Sequence, residues 1–156
     1  LWSTIGYATP AAMGTCVADP SRRTVIVTGD GAHQLTANEL GNFYRHGAKP
    51  IMFVVNNGGF SIERVLEEYP DYEYNDLADW EYHKLPAALG CKDWFTAKVT
   101  TLGELDAAMA TASDADTGCY IEVVLDKHDY PPAAKAMGSR WEALFGVAER
   151  PGQPPE

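Results

Sequence analysis

The chain has 156 residues, of which 46% are apolar and 11% aromatic, and it carries 12 Lys and Arg against 22 Asp and Glu for a formal charge of -10. That length and apolar content match one ordinary soluble, globular domain with a core of its own. The charge argues against nucleic acid, whose phosphates bind clustered cations, and a phosphate-bearing ligand would need a metal ion or a helix N-terminus to hold it.

Residues 5 to 18, IGYATPAAMGTCVA, predict a small-residue helix packed closely on a neighbour. TVIVT (24 to 28) follows as a short β-branched run bounded by polar residues, and so predicts a strand. TANELGNFYRHG predicts a helix that opens on a Thr36 to Glu39 capping box, carries Leu40, Phe43 and Tyr44 on one face, and ends at Gly47. IMFVV (51 to 55) is the second strand and WFTAKVT (94 to 100) the third. In TLGELDAAMATAS the capping device recurs, with Thr101 and Glu104 ahead of Leu105 and Met109. YIEVVL (120 to 125) is the fourth strand.

The first, second and fourth strands are apolar nearly throughout, as expected of strands covered on both faces in a parallel sheet. Alternation of strand and helix predicts a doubly wound α/β domain, with a mainly parallel sheet, right-handed crossovers and helices on both faces. The domain is expected over residues 1 to 146, with 147 to 156 a disordered tail ending in PGQPPE and no boundary inside.

Cys16, Cys91 and Cys119 are odd in number, far apart and in no CxxC pair, which speaks against a disulfide framework or a thiolate zinc site and fits a reducing cytoplasm. No run approaches the roughly 18 apolar residues of a membrane span, and no signal peptide opens the chain. Its start at Leu1 rather than Met reads as a piece of something longer.

Ligands of open parallel sheets bind at the carboxyl ends of the strands. Two such ends are unusual here: TVIVT runs into Gly29-Asp30-Gly31, and IMFVV into Asn56-Asn57-Gly58-Gly59. Either tripeptide alone is an ordinary turn. Together they follow consecutive buried strands, with 24 residues between Gly31 and Asn56 that hold one capped helix. If the strands are neighbours, Asp30 offers a carboxylate and Asn57 an amide oxygen to one point, and a bend at Gly58-Gly59 turns a backbone carbonyl the same way. Three hard oxygen donors suit Mg²⁺ or Ca²⁺, with phosphate and water completing the shell. Gly29 and Gly31 let the backbone approach a ligand closely.

These residues resemble the diphosphate-binding motif of thiamine diphosphate enzymes. GDGAHQLTANELGNFYRHGAKPIMFVVNNGGFSIER, YNDLADWEYHKLPAALG and YIEVVLDKHDYP are similar to the C-terminal diphosphate-binding domain of the 2-oxo acid decarboxylases of the indolepyruvate, phenylpyruvate and pyruvate group, over about Trp2 to Met137. The resemblance makes Asp30, the Asn57 side chain and the Gly59 carbonyl ligands of Mg²⁺, which bridges to thiamine diphosphate. It places Gly29, Gly31, Ala32, Phe60 and Ile62 beside the cofactor, with Ile62 also a wall of the substrate pocket. Glu63 corresponds to the acid that assists decarboxylation or protonation, and a carboxyl held against a substrate carboxylate in a dry site is expected to have a raised pKa. The acetolactate-synthase relatives lack an acid there, so Glu63 separates decarboxylation from the alternative of carboligation. A non-catalytic binding or oligomerisation domain is the other alternative.

Gly58 stands where these enzymes usually carry Asp or Glu, and Phe60 where they usually carry Tyr. The family's pyrimidine-binding domain, with its glutamate and its His-His pair, has no counterpart in the sequence, so a partner region of a longer chain or a second subunit is implied. A homodimer or homotetramer acting on a small 2-oxo acid is the expectation, with no nucleic acid and no membrane. His33, His46, His83 and His128 are singletons expected in surface or capping roles, although His33 could add a donor to the diphosphate. The aromatics Tyr69, Tyr72, Tyr74, Trp80 and Tyr82 are expected in packing or an oligomer contact, the acids of EEYPDYEYND in a solvated loop, and Glu122 against a helix edge or a subunit.

Overall fold

Four β-branched runs pair into one parallel sheet in the order β1-β2-β4-β3: β1 (Val25–Gly29), β2 (Ile51–Asn56), β3 (Phe95–Val99) and β4 (Cys119–Val124). The computed structural model describes residues 4–67, 69–134, 136 and 137, so the expected tail of residues 147–156 lies outside the described residues. The chain falls into two compact units, Leu1–Asn56 with Asp79–Leu125, and Asn57–Ala78 with Asp126–Glu156.

The first unit holds the sheet, and the register sorts its side chains into two faces. Ile26, Met52 and Tyr120 share one rung, and Thr28, Val54, Glu122 and Lys98 share another two residues on, all on the same face because side chains alternate along a strand. Against this face pack Ala12 of α1 (Ala8–Ala18) and Leu40 and Phe43 of α3 (Glu39–Arg45). Leu40 and Phe43 are fully buried, and each such side chain stabilises by about 1.5–3 kcal/mol relative to exposure. On the opposite face Val99, Cys119 and Ile121 meet Ala108 and Ala112 of α6 (Leu102–Asp114). Alanines face the sheet and Met109 points to water, so α6 lies close on the strands.

The expected α/β arrangement with helices on both faces is present, with two local differences. β1 is an edge strand, and Val25 and Val27 on its outer face are 60% and 66% exposed rather than covered. The helix of that face, α6, lies in the β3–β4 connection and makes its contacts with those strands. The Thr36 to Glu39 capping box does not form. The Thr36 hydroxyl donates to the Gly6 carbonyl at 2.9 Å, and the first amides of α3 bond to the carbonyls of Thr36 and Ala37 instead. The Thr101 to Glu104 box does form and opens α6. Gly47 ends α3 in the left-handed region, φ +66, as expected for a helix C-terminus.

At the amino ends of the strands Arg23 fastens three segments. Its guanidinium donates to the carbonyls of Lys49 at 3.1 Å, Ala112 at 2.8 Å and Thr117 at 2.8 Å. Beyond β2, the short α5 (Leu85–Ala88) follows a 3₁₀ turn at Tyr82–Lys84.

The second unit is built on α4 (Ser61–Leu66) and a 3₁₀ turn at Glu73–Asn75. Its organising side chain is Arg64, fully buried, which donates to the carbonyls of Pro70 at 2.8 Å and Asn75 at 3.2 Å and pairs with the Asp76 carboxylate. Asp71, expected in a solvated acidic loop, is exposed and pairs with Lys127 and His128, the bond from Lys127 leading the effects that hold its carboxyl below the usual range.

Candidate functional site

Asp30 opens α2 (Asp30–Gln34) at the carboxyl end of β1 and is only 1% exposed, with a carboxylate oxygen accepting from the Gly31 amide at 2.7 Å. A buried carboxylate needs such bonds to be tolerated, and the start of a helix is where its charge is favoured. Gly29 pairs with Val55, so Asp30 and Asn56 leave adjacent parallel strands at the same level. Gly31 is buried and Ala32 half-buried behind Asp30, and a Cβ added at Gly29 would meet open space.

His33 is not at the surface. It lies wholly buried, its Nδ1 3.3 Å from the Thr9 hydroxyl and its ring against Tyr82 and Tyr120. Burial pushes its pKa down to about 4, so it is neutral at physiological pH. Nε2 of His33 and the hydroxyl of Tyr120 have no protein partner among the described residues. The short helix winds His33 away from the strand end and into the core, so its side chain takes no capping or surface role.

Glu122 meets the edge of the 3₁₀ turn at Tyr82–Lys84. It sits fully buried in β4, where Oε1 accepts from Asn56 Nδ2 at 2.8 Å and lies 3.4 Å from Lys98 Nζ. Its Oε2 accepts from the His83 amide at 3.1 Å and lies 2.6 Å from His83 Nδ1. Burial works to raise the Glu122 pKa, and the bonds from His83 and Asn56 with the Lys98 charge outweigh it, so the net shift is downward. His83 is therefore a carboxylate partner rather than a surface residue. Next to it, Tyr82 accepts from Gln34 Nε2 at 2.8 Å, and burial pushes its phenol up to about 12. Of the aromatic series, Trp80 and Tyr82 pack in the first unit, while in the second Tyr72 stacks on Tyr74 and meets Tyr69 edge-on.

In the second unit the chain turns through Gly58, at φ +71, a conformation that glycine adopts without strain. Asn57 Nδ2 donates to the Ser61 hydroxyl, joining the turn to the first residue of α4. Gly59 is buried, and a Cβ there would fall 2.2 Å from the Asn75 carbonyl oxygen and 2.5 Å from Arg64 Nη2, so no other residue fits unless the backbone moves. Phe60 is half-buried and its amide donates to the Asn75 carbonyl at 3.0 Å. Ile62, 41% exposed, and Glu63 present their side chains to solvent on α4. The described residues do not supply the dry surroundings expected for Glu63.

Among the described residues no group of three His, Cys, Asp or Glu side chains could hold a metal ion. The Asp30 carboxylate is a hard oxygen donor of the kind that Mg²⁺ takes. The three cysteines are free thiols, and no helix among the described residues is long and apolar enough to cross a membrane. Arg64 and the partners of Glu122 escaped the sequence reading. The available signals were an acid inside an apolar strand and an arginine in the helix that follows a glycine turn.

The family model for the thiamine pyrophosphate enzyme C-terminal TPP binding domain matches residues 1–123. Alpha-keto-acid decarboxylase of Mycobacterium avium (strain 104) is 46% identical over 134 residues, 84% of this chain and 23% of that protein. The protein of the same name from Mycobacterium leprae (strain TN) is 44% identical over 138 residues, 88% of this chain and 24% of its own length. The one from Mycobacterium tuberculosis (strain ATCC 25618 / H37Rv) is 45% identical over 134 residues. The chain belongs to the thiamine pyrophosphate enzyme family, as its C-terminal TPP-binding domain. It spans about a quarter of the length of these relatives.

Proposed function

We propose that this chain is the Mg²⁺- and thiamine diphosphate-binding part of a non-oxidative 2-oxo acid decarboxylase, acting on an indolepyruvate-, phenylpyruvate- or pyruvate-type substrate in the cytoplasm. The observation that carries the reading is its 44–46% identity, over 84–88% of its length, to proteins named alpha-keto-acid decarboxylase. Asp30, the Asn57 side chain and the Gly59 carbonyl are the proposed metal ligands, and Gly29, Gly31, Ala32, Phe60 and Ile62 the proposed neighbours of the cofactor. The buried carboxylate at Asp30 and the obligatory glycine at Gly59 support this assignment, because both positions tolerate few other residues. With a chain charge of -10, a diphosphate is held mainly through the cation.

Thiamine diphosphate, when bound, supplies the electron sink that decarboxylation of a 2-oxo acid requires. Glu63 is proposed to hold a proton for delivery near the substrate and to place decarboxylation ahead of carboligation. Its exposure in this chain supports a site closed by a pyrimidine-binding domain, in the same longer polypeptide or in a partner subunit of a homodimer or homotetramer. Three free thiols support a reducing compartment.

The test uses the longer chain that includes the pyrimidine-binding domain. Asp30→Ala and Asn57→Ala should lose the cofactor on gel filtration, whereas Glu63→Gln should keep it and turn over more slowly. Equal loss of cofactor in all three removes the role given to Glu63. Wild-type protein that gains no thermal stability from Mg²⁺ with thiamine diphosphate removes the whole reading, since a hundredfold excess over Kd should add about 2.7 kcal/mol.

A further inference from the structure

A fully buried carboxylate in the middle strands of a parallel sheet is costly unless its oxygens are bonded, and apolar residues are the usual occupants. Glu122 is such a carboxylate, and its partners come from three different segments: Asn56 at the last position of β2, Lys98 in β3, and His83 in the 3₁₀ turn. Asn56 is thereby held to β4 twice, through its side chain and through its carbonyl, which accepts from the Leu125 amide at 2.9 Å. The next residue in the chain is Asn57. The turn that carries His83 also carries Tyr82, bonded to Gln34, and Gln34 closes the helix that Asp30 opens. One carboxylate thus sits beneath the exits of both β1 and β2.

We propose that Glu122 is a positioning residue for Mg²⁺ and thiamine diphosphate: it fixes the β2 exit through Asn56 and braces the helix of Asp30 through the turn at Tyr82–Lys84. This rests on the functional reading above. Groups that orient metal ligands without touching the metal change affinity by about ten- to a hundredfold when removed. Glu122→Gln keeps the size of the side chain but turns one acceptor into a donor facing Asn56 Nδ2, His83 N–H or Lys98 Nζ, so it should release one of these anchors.

The experiment reconstitutes the longer chain, stripped of cofactor, with Mg²⁺ and thiamine diphosphate, and reads both calorimetric Kd and the activity titration. The expected result for Glu122→Gln is a Kd weakened about tenfold, with the same plateau kcat and the same KM for the 2-oxo acid once cofactor saturates. A merely structural role would instead lower the plateau at every cofactor concentration and leave Kd of the folded fraction unchanged. Asn56→Ala should reproduce the Kd effect, and the double variant should add little to either single change because both cut one link. Unchanged Kd in Glu122→Gln and in Asn56→Ala, with wild type binding normally, overturns the proposal while sparing the functional reading. Wild type that binds no cofactor overturns both. Should Glu122→Gln fail to fold, Asn56→Ala decides alone: a shifted Kd supports the proposal and an unshifted one overturns it.

Discussion

The two units hold their proposed cofactor residues in opposite ways. In the first, Asp30 is buried at the end of an edge strand that pairs with β2 along its whole length and is covered by helices on one face. In the second, Asn57, Gly59 and Glu63 ride on a glycine turn and a six-residue helix whose main support is one buried arginine. A residue on a sheet inherits its position from many contacts, while a residue on a short helix depends on a few polar ones.

Arg64→Met gives the largest expected effect and tests that contrast most directly. It removes the Arg64 donor from the Pro70 carbonyl and the Asp76 carboxylate and leaves the Asn75 carbonyl with the Phe60 amide, at a cost of about 2–4 kcal/mol. Hydrogen exchange should show amides of residues 57–78 losing protection while those of β2 and β4 keep theirs. Equal loss in both would break the comparison.

Acid titration is next in size and reports on the first unit. Burial lowers the His33 pKa from its ordinary 6.5 to about 4, so between those values the unfolded chain takes up a proton that the native core refuses. Stability should therefore be constant on this account above about pH 6.5 and fall as pH drops, by roughly 2.5 kcal/mol at pH 4.5. Glu122, with its depressed pKa, adds its own loss only at lower pH, from about 4.5 downward. Denaturant melts of His33→Phe should show a flatter limb between pH 6.5 and 4.5, and an unchanged slope would reassign the titration.

The smallest effect is at the start of α6. Thr101→Ala removes the hydroxyl that accepts from the Glu104 amide and keeps the reciprocal bond from the residue 101 amide to the Glu104 carboxylate, costing about 1 kcal/mol by denaturant melts, with residues 57–78 unaffected.

Strands and their parallel pairing were legible because β-branched runs bounded by turns have few other uses, and the Thr101 box because the hydroxyl and the acid stand at the spacing a free helix end requires. Thr36 and Glu39 stand at the same spacing, but there the chain enters α3 through a turn whose carbonyls already satisfy the amides. Asp30 and the glycine turn were legible as unusual strand exits. The burial of His33, Arg64 and Glu122 was not, because each depends on partners distant in sequence, such as Pro70 for Arg64, Asn56 for Glu122 and Tyr120 for His33. The division into two units left no mark in composition either.

Arg23 lies at the opposite end of the sheet from Asp30, which follows the carboxyl end of β1. By clamping the carbonyls of Lys49, Ala112 and Thr117 it works like a rivet through the lower margin of three segments. The lower margin of the sheet is thereby fixed by one side chain, at a distance from the strand exit that carries Asp30. Only a planar, forked cation reaches three carbonyls from one stem, so lysine there would keep the charge and lose the clamp.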